Sequence, residues 1–183
     1  MASKAYIGFG IAIQDSIDLM NHFDTLNSQP PPPEIEVLKR ASLVMALAAL
    51  ETYFEDRIME AVDAICGKRG MGEDKLINFY KSALEMDLKS FHSPNVERVK
   101  HLFKKYLDID ITEGWVWNNC TPKDAKEELN RLVKKRGDIA HRSLRPTPGQ
   151  PVSHAVKKDD MRKHLYFIKE MVKATDTYLE LHL

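Results

Sequence analysis

Leu43-Val44-Met45-Ala46-Leu47-Ala48-Ala49-Leu50 decides the fold class of this chain. The run is apolar on nearly every side. A helix of that kind has to be covered by several neighbours, which places it in the middle of a bundle rather than on a surface. Glu51, Glu55, Asp56 and Arg57 restore a polar side directly afterwards, and the helix is expected over residues 34–65.

Working outward, Phe9, Ile13, Ser16, Leu19, Met20 and Phe23 recur at spacings near three and four and predict a helix over residues 5–26. Gly8 and Gly10 loosen its expected first turn. Pro30 to Pro33 cannot continue a helix, so residues 27–33 read as a stiff spacer, with a Pro-rich recognition segment as the alternative. Gly67, Gly70 and Gly72 read as turn residues, because they lack the spacing and the Lys-Ser/Thr ending of a nucleotide-phosphate loop. Residues 74–88 form the next expected helix, with Leu76, Phe79, Tyr80, Ala83 and Leu84 toward the core.

Ser93-Pro94 reads as an N-cap followed by proline at the first position of a helix whose stripe is Val96, Val99, Leu102, Phe103, Tyr106 and Leu107. Trp115 and Trp117 lie in a short connection, where they either close the end of the bundle or stack on a base. Thr121-Pro122-Lys123-Asp124 is a helix start with a capping box. That helix turns Ala125, Leu129, Leu132, Val133 and Ala140 inward and ends near residues 141–143. A turn-rich loop over 143–158 precedes a last helix from about Asp159, packing through Leu165, Ile168, Met171, Val172, Thr175 and Leu179. No strand alternation or internal repeat interrupts this pattern. The expectation is one all-α domain over residues 1–183, a compact helical bundle.

The 183 residues are 43% hydrophobic and 30% charged, with 27 basic and 27 acidic side chains giving zero formal charge. Overall attraction to a polyanion is therefore absent, and any such site must come from local clustering. Cys66 and Cys120 share no motif, which favours free thiols in a reducing, cytoplasmic setting over a disulfide framework or a cysteine-rich zinc site. Lys4, Gln14, Asp15 and Asp18 make the N-terminus an amphipathic helix rather than an export signal, and no apolar run has the length of a membrane span. His154, His164 and His182 lack carboxylates at a recognisable metal-site spacing, so neither a metal nor a cofactor is expected.

The segment that reads as chemistry is Arg136-Gly137-Asp138-Ile139-Ala140-His141. Between Leu129 and Arg145 stand six basic residues (Arg131, Lys134, Lys135, Arg136, Arg142 and Arg145) against one acid, Asp138. Histidine can take the proton of a ribose 2′-hydroxyl or give one to the departing 5′-oxygen, and a guanidinium can hold the phosphate oxygens between them. This chemistry selects RNA and leaves a 2′,3′-cyclic phosphate and a 5′-hydroxyl. Five residues of helix rotate by about 500°, which leaves the two side chains about 140° apart. Both reach one phosphate only in a broad cleft, or one whose facing half comes from a second copy. In the plain reading, Arg136 is a solvated surface arginine and His141 a helix-end residue. Glu51 could orient Arg136 or a helix end, or simply make an internal bond or face solvent. His101 and Tyr106 read as surface and packing residues.

The chain resembles the HEPN-domain family of small helical proteins found among prokaryotic RNases and in toxin and phage-defence systems. The resemblance rests on Arg136, Ala140 and His141, with a further helix after them, and on the acid-bearing apolar helix that runs through Ala41-Ser42-Leu43 to Glu51-Thr52-Tyr53-Phe54. It implies a homodimer in which Arg136 and His141 of both copies face a composite cleft, and a metal-independent endoribonuclease. In that reading Lys135, Arg142 and Arg145 bind RNA, with Asp138 and Glu51 as supporting groups. An antitoxin or another defence-system protein is an expected partner, and no membrane is. The position after the arginine is often polar in the family and is Gly137 here. A noncatalytic RNA- or nucleotide-binding module and a structural, dimeric interaction component stay open as alternatives.

Overall fold

A computed structural model describes residues 2–28, 32–68, 75–142 and 156–183. Six α-helices follow one another among them: α1 (Lys4–Leu26), α2 (Glu36–Lys68), α3 (Lys75–Leu88), α4 (Val96–Leu107), α5 (Pro122–Arg142) and α6 (Lys158–His182). Short 3-10 turns cover Pro33–Ile35 and Ile111–Gly114, and the described residues contain no sheet, only one isolated bridge between Trp117 and Cys120. The bundle is all-α. None of the described helices is long and apolar enough to cross a membrane. The expected loop over 143–158 lies outside the described residues up to 155, and α6 starts at Lys158.

α2 is the axis of the molecule. Leu43, Ala46, Leu47, Leu50, Phe54 and Ile58 have no exposed surface, while Met45 keeps 38%. The apolar run is therefore covered on most sides, and α1, α3, α4, α5 and α6 all pack on it. Against α1 the approach is close enough for reciprocal bonds. Ser16 Oγ donates to the Ser42 carbonyl at 2.7 Å, and Ser42 Oγ donates to the Ser16 carbonyl at 2.8 Å.

Charge fixes the helix ends where packing alone would leave them loose. Ser3 Oγ accepts from the Tyr6 N–H at 3.0 Å, and Glu60 of α2 accepts from the N–H groups of Lys4 and Ala5 at 3.1 Å each. These caps supply what Gly8 and Gly10 lack, and α1 runs unbroken through both glycines, contrary to the expected loosening. Buried Arg57 of α2 joins α6 through Asp176 (Nε to Oδ1, 2.9 Å) and Glu180 (2.9 Å), and the Ser3 hydroxyl donates to the same Asp176.

Other sequence expectations fail, among them the inward turn of Ala140, which is exposed on α5 while Ile139 beside it is buried. α4 is capped by Asn95, whose side-chain oxygen accepts from the Arg98 N–H at 3.0 Å, so Ser93 and Pro94 lie before the helix, where the Asn95 N–H donates to the Ser93 carbonyl at 2.8 Å. Asn130 of α5 accepts the Val96 N–H at 3.1 Å and secures the start of α4 one residue after Asn95. On α3, Leu84 is buried and Tyr80 and Ala83 are half-buried, but Leu76 and Phe79 stay 70% and 73% exposed. Among the described residues, α3 meets its neighbours through Lys81 to Asp63 of α2, and through Tyr80 against Tyr106 and Asp87 to Lys105 and Tyr106 of α4.

Candidate functional site

Thr121 and Asp124 start α5 with the expected capping box: the Thr121 N–H donates to Asp124 Oδ2 at 3.0 Å and the Asp124 N–H to Thr121 Oγ1 at 3.3 Å. From there Ala125, Leu129 and Leu132 are fully buried, and Ile139 is 8% exposed. Arg136 lies on the same side of the helix. It reaches α2, where its Nη1 donates to Glu51 Oε2 at 2.5 Å. The side chains of Arg136 and Glu51 are 26% and 17% exposed, so the pair borders solvent.

Arginine carries five N–H donors in a planar fork. One is used on Glu51, and a guanidinium so held has defined directions in which its remaining donors can meet phosphate oxygens. The ground around it is acidic. Burial, reinforced by the nearby charges of Glu51 and Asp56, pushes the Glu55 carboxyl above its ordinary range, while His92 counters this. Anion binding at Arg136 thus has to be won against carboxylates and needs the basic residues of α5.

His141 is exposed on α5, and within the described residues no hydrogen bond or ion pair joins it to Arg136 or to any other group. The separation of about 140° expected from helix geometry is what keeps the two apart in a single copy. Asp138 is half-buried. Lys135 is half-buried beside Arg131, Asp160 and Glu128. Burial and the Arg131 charge lower its pKa, and the two carboxylates oppose them. The side chain of Arg142 and the whole of Arg145 lie outside the described residues. A Cβ at Gly137 would meet nothing within 4 Å, so the backbone there has room for a side chain to start.

Spacing along the chain missed one group. His164 of α6 is 3% exposed, and its Nδ1 stands 3.4 Å from Glu128 Oε1 of α5, so this histidine does face a carboxylate. Burial opposes ionisation of Glu128, but His164 and the two-pronged contact from Arg131 outweigh it and bring the carboxyl down to about 2. Glu128 and Arg131, three residues apart, were the available signal. Their partner on α6 was invisible without the fold. No group of three or more His, Cys, Asp or Glu side chains placed to hold a metal occurs among the described residues. Trp115 is fully enclosed, its Nε1 donating to Thr175 Oγ1 at 2.9 Å, which removes base stacking as its role. Trp117 packs edge-on to Phe167 at 5.5 Å. Tyr106 is buried and His101 exposed, as read from sequence.

These features define an all-α bundle whose central helix is tied to the Arg136–His141 stretch of α5 by a solvent-bordering ion pair. Residues 11–181 match the RiboL-PSP-HEPN family model, and the chain belongs to that HEPN family. No curated protein and no solved structure matches it. Membership supports a general role associated with RNases and toxins.

Proposed function

We propose that this chain is a metal-independent endoribonuclease of the HEPN type, with Arg136 and His141 as its catalytic residues. The observation that carries the reading is the Arg136–Glu51 pair. It holds a guanidinium at the edge of the core with donors to spare, next to the chain's densest basic run. In the proposed reaction His141 takes the proton from the ribose 2′-hydroxyl. The 2′-oxygen attacks phosphorus, the P–O5′ bond breaks, and the 5′-oxygen leaves with a proton from a second imidazole. Arg136 stabilises the charge that develops on the non-bridging oxygens. The products are a 2′,3′-cyclic phosphate and a 5′-hydroxyl. No step calls for a metal ion.

The wide angle between Arg136 and His141 favours a site shared by two copies, because one phosphate can then meet groups from both. Lys135, Arg142 and Arg145 are assigned to the RNA backbone, Glu51 to positioning Arg136, and Asp138 to local polarity. A protein that neutralises this basic surface, such as an antitoxin or another defence component, fits as regulator. The test is cleavage of an RNA panel in EDTA by the wild-type, Arg136→Ala and His141→Ala proteins. Loss of cleavage in both variants supports the assignment. Salt-sensitive RNA binding without cleavage would instead make this a binding module.

A further inference from the structure

The turn between α3 and α4 carries an imidazole that the packing does not use. His92 is exposed there, and its ring makes no hydrogen bond or ion pair among the described residues. Phe91 before it and Pro94 after it are buried, and its own N–H donates to the Ser90 carbonyl at 3.1 Å. The backbone is thus pinned on both sides of a free ring.

This turn sits beside the Arg136–Glu51 pair. Asn130 of α5 accepts the Val96 N–H at 3.1 Å, which ties the chain four residues past His92 to the helix that carries Arg136. On α2, Glu55 lies one turn from Glu51 and on the same side. Burial and the charges of Glu51 and Asp56 push the Glu55 carboxyl up and His92 draws it down, which sets the imidazole alongside Glu55.

Helix direction decides which end of Arg136 the ring occupies. Tyr53 and Arg57 of α2 bond Val172 and Asp176 of α6 in the same order, so these two helices run parallel. Glu128 meets His164, and Arg131 further along α5 feels Asp160 earlier in α6, so α5 runs antiparallel to α6 and hence to α2. The step from Glu51 to Glu55 therefore leads toward the earlier residues of α5, by about 6 Å along the axis. His141 lies about 7.5 Å beyond Arg136 in the opposite direction. The guanidinium stands between the levels of the two histidines.

We propose that His92 is the general acid of the cleavage reaction, the second imidazole that gives its proton to the departing 5′-oxygen. In-line displacement puts the attacking and leaving oxygens on opposite sides of phosphorus, so base and acid have to approach from opposite ends of the phosphate. His141 takes the 2′-hydroxyl proton as the O2′–P bond forms. The P–O5′ bond breaks with its electron pair on O5′, which takes the His92 proton. His141 ends protonated and His92 neutral. A second copy of His141 is then not needed as the acid.

This assignment rests on the reading of Arg136 and His141 as an RNA-cleaving pair, and the test separates the two. A linkage that the wild-type protein cleaves in EDTA is rebuilt with sulfur in place of the bridging 5′-oxygen, because a thiolate leaves without needing a proton. His92→Ala should cut cleavage of the oxygen linkage about 10²–10⁴-fold and that of the sulfur linkage less than about tenfold. Its circular dichroism and melting temperature should match the wild type, since the ring is exposed. His141→Ala should lose cleavage of both linkages, because the 2′-hydroxyl still has to give up its proton. A His92→Ala protein that cleaves the oxygen linkage at the wild-type rate, or that loses both linkages alike, overturns the assignment. Loss of cleavage in His141→Ala would in either case leave the Arg136–His141 reading standing. A wild-type protein that cleaves no RNA removes both.

Discussion

Replacing Glu51 by Gln keeps the size of the side chain and removes the charge that holds Arg136. The pair lies between two regimes. Fully exposed pairs contribute about 0–1 kcal/mol, and breaking a fully buried one costs about 3–5 kcal/mol. With side chains 26% and 17% exposed and a contact of 2.5 Å, the Arg136–Glu51 interaction falls between them. We expect a coupling of about 1–2 kcal/mol in a double-mutant cycle of Glu51→Gln with Arg136→Met. For a chain of this length that corresponds to a melting temperature about 2–8 °C lower for the single Glu51→Gln protein. The assay is urea and thermal unfolding of the four proteins by circular dichroism, with RNA cleavage measured in parallel. Positioning by Glu51 adds a second signature. Cleavage should fall about tenfold in Glu51→Gln with little change in RNA affinity, because the guanidinium is still present but no longer aimed. A coupling below about 0.3 kcal/mol would refute the energetic argument. Unchanged cleavage by a stably folded Glu51→Gln protein would refute the positioning role.

Other parts of the structure give independent checks. The folded-state pKa of Glu128, lowered to about 2 from 4.5, means that its contribution is complete above about pH 4.5 and is lost as pH falls toward 2. Urea unfolding between pH 5 and 2.5 should show a loss that Glu128→Gln removes, on the order of 2 kcal/mol once partial exposure is allowed for. Gly137 sits in a helix with open space around its Cα, so Gly137→Ala should raise stability by about 0.5–1 kcal/mol, and Gly137→Asn should fold and increase cleavage. Gly114 is the opposite case. A Cβ there would lie 2.2 Å from Tyr178 Cγ, so Gly114→Ala should destabilise by about 1–3 kcal/mol and Tyr178→Ala should relieve it, both read by thermal melting.

Most of the architecture was legible because it follows from periodicity. The apolar run of α2 requires neighbours on several sides, and the Thr121–Asp124 capping box fixes the start of α5 within the sequence itself. What escaped was pairing between distant segments. Asn95 displaced Ser93 as the cap because Asn130, on another helix, secures the adjoining Val96 N–H. Leu76 and Phe79 look like core residues by spacing, yet the described neighbours of α3 cover the side that carries Leu84 instead. His164 found Glu128 only through the packing of α6 beside α5. For the candidate site, the angle between Arg136 and His141 was already in the count of residues between them. The bond from Arg136 to Glu51 was one of several roles left open for that carboxylate, and the fold selects it.

The most direct test of the central claim is end analysis of RNA fragments produced in EDTA. The account predicts 2′,3′-cyclic phosphate and 5′-hydroxyl ends, with cleavage reduced about 10²–10⁴-fold in His141→Ala and about 10²–10³-fold in Arg136→Ala. Ends bearing 5′-phosphate and 3′-hydroxyl, or undiminished cleavage by His141→Ala, would contradict it.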